Sequence, residues 1–193
     1  YVVQIIEPTT GCSGITNVFV SQDSMSLNLH IIKNDVSCYN GDNGRISAHA
    51  QFGLLPYAFF IDGILSSNPF PYDSVFSNLS AGSYIISIID ANNCMKRDTV
   101  KISSPTSPLQ ALSQSGNKAI SLCYGASNGT TIAYGAGGTP GYTFEWFDNT
   151  FTSFSVNDTA FGLGAGTYFL EVTDANGCDT FTTITVVTSQ TPL

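Results

Sequence analysis

The residues best suited to covalent chemistry in this chain are five cysteines. They are Cys12, Cys38, Cys94, Cys123 and Cys178. None of them belongs to a Cys-x-x-Cys pair, and the two histidines, His30 and His49, have no repeated partner. A thiol nucleophile or a zinc site is therefore disfavoured, because both chemistries need such partners. Disulfide formation is the chemistry that we expect.

Carboxylates offer two further candidates. Glu145 and Glu171 have the residue types of a glycosidase pair, but both alternate outward on predicted strands. Asp90 and Asp174 carry oxygen ligands that suit calcium, yet each stands as the one carboxylate of its turn, which favours an ordinary hairpin turn. We therefore predict no catalytic residue, no cofactor-binding residue, no metal ligand and no enzyme activity, with calcium as the one cofactor left open.

Two blocks of sequence recur along the chain. Segment 79–84 returns as 163–168 and segment 90–94 returns as 174–178, both 84 positions later. Cys38, followed by Asn43-Gly44, returns as Cys123, followed by Asn128-Gly129, 85 positions later. Internal repetition at this period indicates an array of like modules.

The start of the chain fits the same repeat. Segment 1–12 resembles segment 84–94, so we expect the chain to open inside a repeat of a longer polypeptide. The predicted units are a terminal β-hairpin of a preceding, truncated repeat (1–24) and two full repeats (25–105 and 106–193). Two prolines in segment 104–108 predict a short, stiff joint between the full repeats.

The composition is that of a secreted all-β chain. Six Lys and Arg stand against fourteen Asp and Glu, for a net charge of −8, and the basic residues are scattered. This charge opposes binding to phosphate backbones, so nucleic acid is excluded as a partner. The sequence also lacks a run that predicts a transmembrane span.

Alternation of apolar and polar residues predicts short strands and almost no helix. Each repeat has the length and turn spacing of a seven-stranded sandwich, so the predicted fold is all-β, with tandem immunoglobulin-like (PKD-like) β-sandwich modules. Trp146 falls where such a sandwich has a core aromatic, and the first repeat has Phe60 or Ile61 near that position. Tyr84 and Tyr168 each follow a corner that is typical of a tyrosine corner.

The repeat leaves two disulfide schemes open. Pairing within modules gives Cys38–Cys94 and Cys123–Cys178, but sandwich topology puts these partners at opposite poles, roughly 20 Å apart, whereas bridged Cα atoms lie within about 7 Å. Pairing across the joint of stacked modules gives Cys38–Cys178 instead. In that scheme Cys12, Cys94 and Cys123 bond to modules outside this chain.

The landmarks of the second repeat resemble the SprB repeat of Bacteroidetes surface proteins. The matching residues are Cys123, Gly125, Asn128, Gly129, Gly137, Gly138, Thr139, Pro140, Tyr142, Trp146, Leu163, Ala165, Gly166, Tyr168, Asp174, Ala175, Asn176, Gly177 and Cys178. The first repeat departs from the pattern: segment 52–57 replaces the Gly-Gly-Thr-Pro turn, and no Trp is present.

The resemblance implies a non-catalytic structural or adhesive part of a large surface protein or filament that serves attachment or gliding. Such proteins are exported by the type 9 system and displayed on the outer membrane. The implied partners are neighbouring repeats and lateral copies of the chain, with a surface or polysaccharide ligand left unknown. Because the same repeat also serves as a spacer, the alternative is a spacer array of a secreted enzyme or carbohydrate-binding protein.

Asp-hydroxyl-apolar triplets resemble the O-glycosylation signal of the same bacteria. The implied sugar carriers are Ser24, Ser74, Thr99, Thr159 and Thr180. Ordinary alternation in Thr-rich strands is the competing explanation. Aromatic residues also cluster, with Phe147, Phe151 and Phe154 in the second repeat and Phe70 and Tyr72 in the first. We expect these rings to serve packing more than sugar binding.

Overall fold

The computed structural model describes residues 1–20, 26–66, 72–116, 118–121 and 125–188, and within these ranges every regular element is a strand. An N-terminal hairpin comprises β1 (Val2–Ile6) and β2 (Ser13–Asn17). A first sandwich comprises β3 (Asn28–Asn34), β4 (Gly44–Gln51), β5 (Ala58–Ile61), β6 (Ile64–Leu65), β7 (Asp73–Leu79), β8 (Gly82–Ile89) and β9 (Met95–Ile102). A second comprises β10 (Gln110–Ser113), β11 (Lys118–Ser121), β12 (Gly129–Ala136), β13 (Thr143–Phe147), β14 (Ser153–Ser155), β15 (Thr159–Leu163), β16 (Gly166–Thr173) and β17 (Asp179–Thr188).

The N-terminal hairpin pairs β1 with β2 in antiparallel register, from Val2 opposite Asn17 to Ile6 opposite Ser13. Every residue of both strands is exposed, including apolar side chains such as Ile5 and Ile15. The predicted division at 24/25 falls among residues that the structure does not describe, and the division at 105/106 stays a prediction.

The first sandwich packs a sheet of order β3-β4-β7 against a sheet of order β6-β5-β8-β9. Alternate residues of β4 are buried, because successive side chains of a strand point to opposite faces. The core between the sheets is built from β-branched and aromatic side chains that are fully buried, among them Ile46, Phe59, Ile86, Ile88 and Ile102.

The second sandwich repeats this plan, with sheets of order β10-β12-β15 and β11-β17-β16-β13-β14. Its strand β11 pairs in parallel with the C-terminal half of β17. Trp146 is fully buried in the core and donates its indole N–H to the carbonyl of Asn157, 3.0 Å away. The predicted all-β fold of tandem immunoglobulin-like sandwiches is confirmed, as is the core position of Trp146.

The register of β5 decides between the two residues predicted near the Trp position. Ile61 pairs with Ile86, as Trp146 pairs with Leu170, so Ile61 is the counterpart of Trp146. The fully buried aromatic of this strand is Phe59, and Phe60 alternates to the other face. The first sandwich therefore fills its core from a strand position two residues before that of the tryptophan.

Both tyrosine corners are present. The hydroxyl of Tyr84 donates to the carbonyl of Ser80 at 2.9 Å, and the hydroxyl of Tyr168 donates to the carbonyl of Gly164 at 3.3 Å. Each bond ties the start of one strand to the corner before it.

Candidate functional site: the joint between the sandwiches

The turn 174–178, which joins β16 to β17, is held by the carboxylate of Asp174. Its Oδ1 accepts hydrogen bonds from the backbone N–H groups of Asn176 and Cys178, both at 2.9 Å. Aspartate favours this role because its short side chain reaches the backbone two residues on. Gly177 follows with φ of +78°, a conformation that glycine adopts without steric cost. The turn therefore presents Asn176 and Cys178 in a fixed geometry.

The second oxygen of Asp174 ties this turn to the loop that precedes β13. Its Oδ2 accepts from the N–H of Thr139 at 2.8 Å, and the carbonyl of Thr139 accepts from the N–H of Ala175 at 3.2 Å. Burial alone raises the pKa of the Asp174 carboxyl, but the N–H groups of Thr139, Cys178 and Asn176 outweigh it and hold the pKa below its ordinary value. All three donors favour the charged form.

The first sandwich builds the same turn from a different loop. Asp90 accepts from the N–H groups of Asn92 at 2.9 Å and Cys94 at 2.8 Å, and also from the N–H of Leu54 at 3.1 Å. Burial again raises the pKa of this carboxyl, and the same kind of donors again lower it below the ordinary value. Segment 52–57 thus replaces the Gly-Gly-Thr-Pro turn and keeps two of its hydrogen bonds, the one from a loop N–H to the turn carboxylate and the one from Ala91 N–H to the carbonyl of Leu54. The sequence differences hid this equivalence.

A tyrosine closes each of these loops. The hydroxyl of Tyr57 donates to the carbonyl of Phe52 at 2.6 Å, and the hydroxyl of Tyr142 donates to the carbonyl of Gly137 at 2.7 Å. The two tyrosines were readable from the sequence as an equivalent pair, but their role as loop clamps was not predicted.

The two sandwiches are covalently joined. Cys38, which precedes β4, forms a disulfide with Cys178, which precedes β17; the Cα atoms are 5.8 Å apart and the residues are 140 positions apart in sequence. Beside this bond, the side-chain amide of Asn176 donates to the carbonyl of Ser37 at 3.0 Å and to the hydroxyl of Thr139 at 2.9 Å. One turn of the second sandwich is thus held to one loop of the first by a disulfide and a hydrogen bond.

The connecting segment is fastened at both ends. On the first sandwich, the N–H of Val36 donates to the carbonyl of Ser103 at 2.9 Å, and the N–H of Ser103 donates to the carboxylate of Asp35 at 2.9 Å. On the second, the N–H of Gly138 donates to the carbonyl of Ser107 at 3.0 Å. Of the two prolines predicted to stiffen the joint, Pro105 therefore lies between the two anchored residues and Pro108 directly follows the second.

The structure holds one of the two disulfide schemes and not the other. Because Cys38 and Cys178 are bonded to each other, neither Cys38–Cys94 nor Cys123–Cys178 is formed. The physical reason is that the turn with Cys94 and the loop with Cys38 lie at opposite poles of one sandwich. Cys12 and Cys94 are exposed free thiols, and Cys123 lies outside the described residues.

The implied sugar carriers lie in different environments. Ser74 is fully buried, and its hydroxyl is 2.6 Å from that of Ser66, so it leaves no room for a sugar in this fold and its assignment is wrong. Thr99 is exposed on β9, whereas Thr159 and Thr180 are half-buried. Ser24 lies outside the described residues.

The clustered aromatic residues of the second sandwich form a patch on the outer face of its larger sheet. Phe151 stacks on Phe169 with 4.3 Å between ring centroids, and Phe147 lies 6.3 Å from Phe181 and 6.4 Å from Phe151. Phe154 packs instead against Tyr168. Phe70 lies outside the described residues, and Tyr72 packs edge to face with Tyr57.

Carboxylates border this aromatic patch. Glu145 and Glu171 are directly opposite each other on paired strands. Burial raises the pKa of Glu171, and the charges of Asp179 and Glu145 raise it further. The two glutamates therefore repel each other across the strand pair, as like charges in this position do.

The histidines lie on the outer face of the β3-β4-β7 sheet of the first sandwich. His49 Nδ1 is 2.6 Å from a carboxylate oxygen of Asp73, and the His30 ring lies 6.1 Å from that of His49. Among the described residues, no group of three or more His, Cys, Asp or Glu side chains is arranged to hold a metal ion. No helix in the described ranges has the length and hydropathy needed to cross a membrane.

No family profile and no curated protein sequence matches this chain. Solved structures do match. Three N-terminal domains of the bacteriophage RB49 Highly Immunogenic Outer Capsid protein are 11% identical over 84% of this chain, with a TM-score of 0.53. The chain has an immunoglobulin-like fold. It spans 59% of that capsid protein fragment.

Two further matches are tandem domains with lower TM-scores. DIP-gamma IG1+IG2 is 10% identical over 86% of this chain and 99% of its own, with a TM-score of 0.44. The N-terminal eight Ig domains of Down Syndrome Cell Adhesion Molecule are 14% identical over 86% of this chain and 25% of their own, with a TM-score of 0.43.

Proposed function

We propose that this chain is a non-catalytic structural and adhesive part of an extracellular surface protein, in which disulfide-stapled sandwiches transmit force. The observation that carries this proposal is the joint, where the Cys38–Cys178 bond and the Asn176 amide fasten one sandwich to the next. A disulfide persists in oxidising compartments and is rare in the cytosol, which supports an extracellular location.

The bond suits a load-bearing role because of where it lies. A pull on the two ends of the chain passes from Cys38 to Cys178 through the sulfurs, so the segment between them, residues 39–177, is shielded from tension. In the chain-entropy account, closing a loop of this length also disfavours the unfolded chain by about 5 kcal/mol. The disulfide therefore limits both bending between the two sandwiches and extension of the chain.

We further propose that the modules are SprB-type repeats of a Bacteroidetes outer-membrane protein, exported by the type 9 system for attachment or gliding. Support comes from the structural roles of the pattern residues: Trp146 fills the core, Tyr168 makes the corner and Asp174 holds the turn. Sugars on Thr99, Thr159 and Thr180 belong to this proposal, and peptide mass spectrometry of the native protein would detect them as added sugar masses.

The test of the surface assignment is labelling of intact source cells with antibody raised against this chain. We expect labelling without permeabilisation, and differential alkylation should recover Cys38 and Cys178 as a disulfide. Labelling only after permeabilisation, with both cysteines recovered as thiols, would overturn the proposal.

The second candidate is a spacer array of a secreted enzyme or carbohydrate-binding protein. The observation in its favour is the exposed aromatic patch, because flat rings such as the Phe151–Phe169 stack resemble surfaces on which sugar rings lie. Gel retardation in soluble polysaccharides distinguishes the two. Retardation that is lost in Phe151→Ala would favour the carbohydrate-binding alternative, and unchanged mobility would favour the structural role.

A further inference from the structure

Turn 90–94 of the first sandwich is built like turn 174–178, but its cysteine, Cys94, is an exposed free thiol. We propose that turn 90–94 is a docking site that receives the cysteine-bearing loop of another sandwich of this repeat type and forms a disulfide with it through Cys94. This inference rests on the proposed function, because it treats the Cys38–Cys178 joint as the general way in which these domains connect.

The first observation is that the two turns share one geometry. Asp90 fixes the N–H groups of Asn92 and Cys94 at 2.9 and 2.8 Å, as Asp174 fixes those of Asn176 and Cys178 at 2.9 Å each. In the second sandwich the amide and the sulfur of this turn both engage the loop of the neighbour. Asn92 and Cys94 are the same two residue types in the same frame, and both are exposed.

The second observation is independent of the cysteine. Four exposed apolar side chains surround turn 90–94, and we call them the apolar collar: Phe52, Leu54, Leu55 and Met95. Leu54 and Met95 are 52% and 59% exposed. Exposed apolar patches of this kind mark contact surfaces on soluble domains.

The second sandwich has no such collar at its occupied turn. Gly137, Thr139, Pro140 and Asp179 stand at the corresponding positions in the repeat. The first sandwich therefore offers its partner more apolar surface than the observed joint does. Burial of the collar would add a hydrophobic contribution to the same docking geometry.

The partner is defined by the loop it must present. At the observed joint this loop supplies the carbonyl of Ser37 and the sulfur of Cys38, followed by Tyr39. Cys38 is already bonded, so the partner of Cys94 comes from another sandwich. In this sequence Cys123-Tyr124 repeats Cys38-Tyr39, so a second copy of the chain carries the required sequence and is the probe we would use.

The bond forms by oxidation of two thiols. Cys94 and the partner cysteine together lose two electrons and two protons, and a disulfide oxidant such as oxidised glutathione accepts them and is reduced to two thiols. Exposure of Cys94 makes its sulfur accessible to this exchange.

The test is oxidation of the purified full chain in a glutathione redox buffer, followed by non-reducing electrophoresis and peptide mapping. We expect covalent multimers whose linking peptide joins Cys94 of one copy to Cys123 of another. Cys94→Ser should reduce the multimers at least tenfold, whereas Cys12→Ser, the change at the other exposed thiol, should leave the yield of the Cys94–Cys123 peptide unchanged. Leu54→Ser should slow their formation, because it weakens the collar without touching a sulfur.

Other outcomes would overturn the inference. Linkage of Cys94 to Cys12 or to another Cys94 as often as to Cys123 would show random collision, and a Cys94 recovered only as thiol or as its glutathione adduct would show that no docking occurs. The same peptide map reports Cys38–Cys178. Its absence would refute the proposed function, whereas its presence without any Cys94–Cys123 link would refute only this inference.

Discussion

Gly138 lies directly against the carboxylate of Asp174: a Cβ at position 138 would stand 2.5 Å from Asp174 Oδ2. Gly53 and Asp90 repeat this relationship in the first sandwich, where the corresponding distance is 2.9 Å. In both loops the glycine also has a positive φ. The close approach lets the loop N–H groups reach the carboxylate, so the turn that carries the bonding cysteine depends on a residue without a side chain.

Gly138→Ala should therefore destabilise the second sandwich more than its backbone conformation alone explains. The matched control is Gly116→Ala in the same sandwich, because Gly116 has φ of +63° against +56° for Gly138 but nothing within 4 Å of its would-be Cβ. We expect the free energy of unfolding to fall by about 1 kcal/mol in the control and by about 1–3 kcal/mol more in Gly138→Ala. Trp146 is the one tryptophan of the chain, so its fluorescence during urea unfolding reports this sandwich. Equal losses in the two variants would contradict the steric role of Gly138.

Asp174→Asn should destabilise the second sandwich and make its stability depend less on pH in the acid range. The folded-state pKa of Asp174 lies below the ordinary value, so its contribution to stability is fully present above the unfolded pKa of about 3.9 and is lost as pH falls through the lower folded pKa. Hydrogen bonds to a charged group are worth about 1.5–3 kcal/mol each. We expect a loss of about 2 kcal/mol at neutral pH. Asp179→Asn, the exposed neighbour, serves as the control in urea titrations at several pH values, and an equal loss there would argue against the special role of Asp174.

Glu171→Gln should stabilise the second sandwich at neutral pH, the opposite of the effect of Asp174→Asn. The pKa of Glu171 is raised in the folded state, so its ionisation costs stability as pH rises from the unfolded pKa of about 4.3 through the folded one. The neutral variant removes that cost, and we expect a gain of about 0.2–1 kcal/mol at pH 7 and no gain at pH 3. Thermal unfolding at both values checks this. A gain that persists at pH 3 would show that charge is not the cause.

The two tyrosine corners should differ in strength. Tyr84→Phe removes a hydrogen bond of 2.9 Å and should cost the first sandwich about 1 kcal/mol. Tyr168→Phe removes a longer bond of 3.3 Å and should cost the second sandwich less. Hydrogen exchange of the core strands, β8 and β16, measures the two losses separately. A larger loss in Tyr168→Phe would contradict this ranking.

The fold could be predicted from the sequence because it follows from the internal repeat and from the alternation of apolar and polar residues. Trp146, Tyr84 and Tyr168 could be placed from spacing alone, since each occupies a position that the sandwich demands. Residues whose environment depends on distant packing were less predictable. Ser74 has the local pattern of an exposed hydroxyl residue, but β7 turns it inward against Ser66, a contact that no local triplet encodes.

The contacts at the joint between the sandwiches could be predicted in part. The repeat limited the disulfide to two schemes, and the separation of the poles was an objection to pairing within modules that did not decide between them. The hydrogen bond from Asn176 to Ser37 was not predictable, because it depends on how two domains meet. The equivalence of loops 52–57 and 137–142 was also hidden, since their hydrogen bonds run through backbone atoms that any sequence supplies.

Single-molecule stretching of the chain by its two ends tests the central claim most directly, because the disulfide shields the segment between Cys38 and Cys178, which are 140 positions apart. We predict that adding a reductant, or substituting Cys178→Ser, lengthens the fully extended chain by about 480 Å. An oxidised wild-type chain that extends as far as the reduced one would contradict the account, because tension would then pass through both sandwiches and not across the staple.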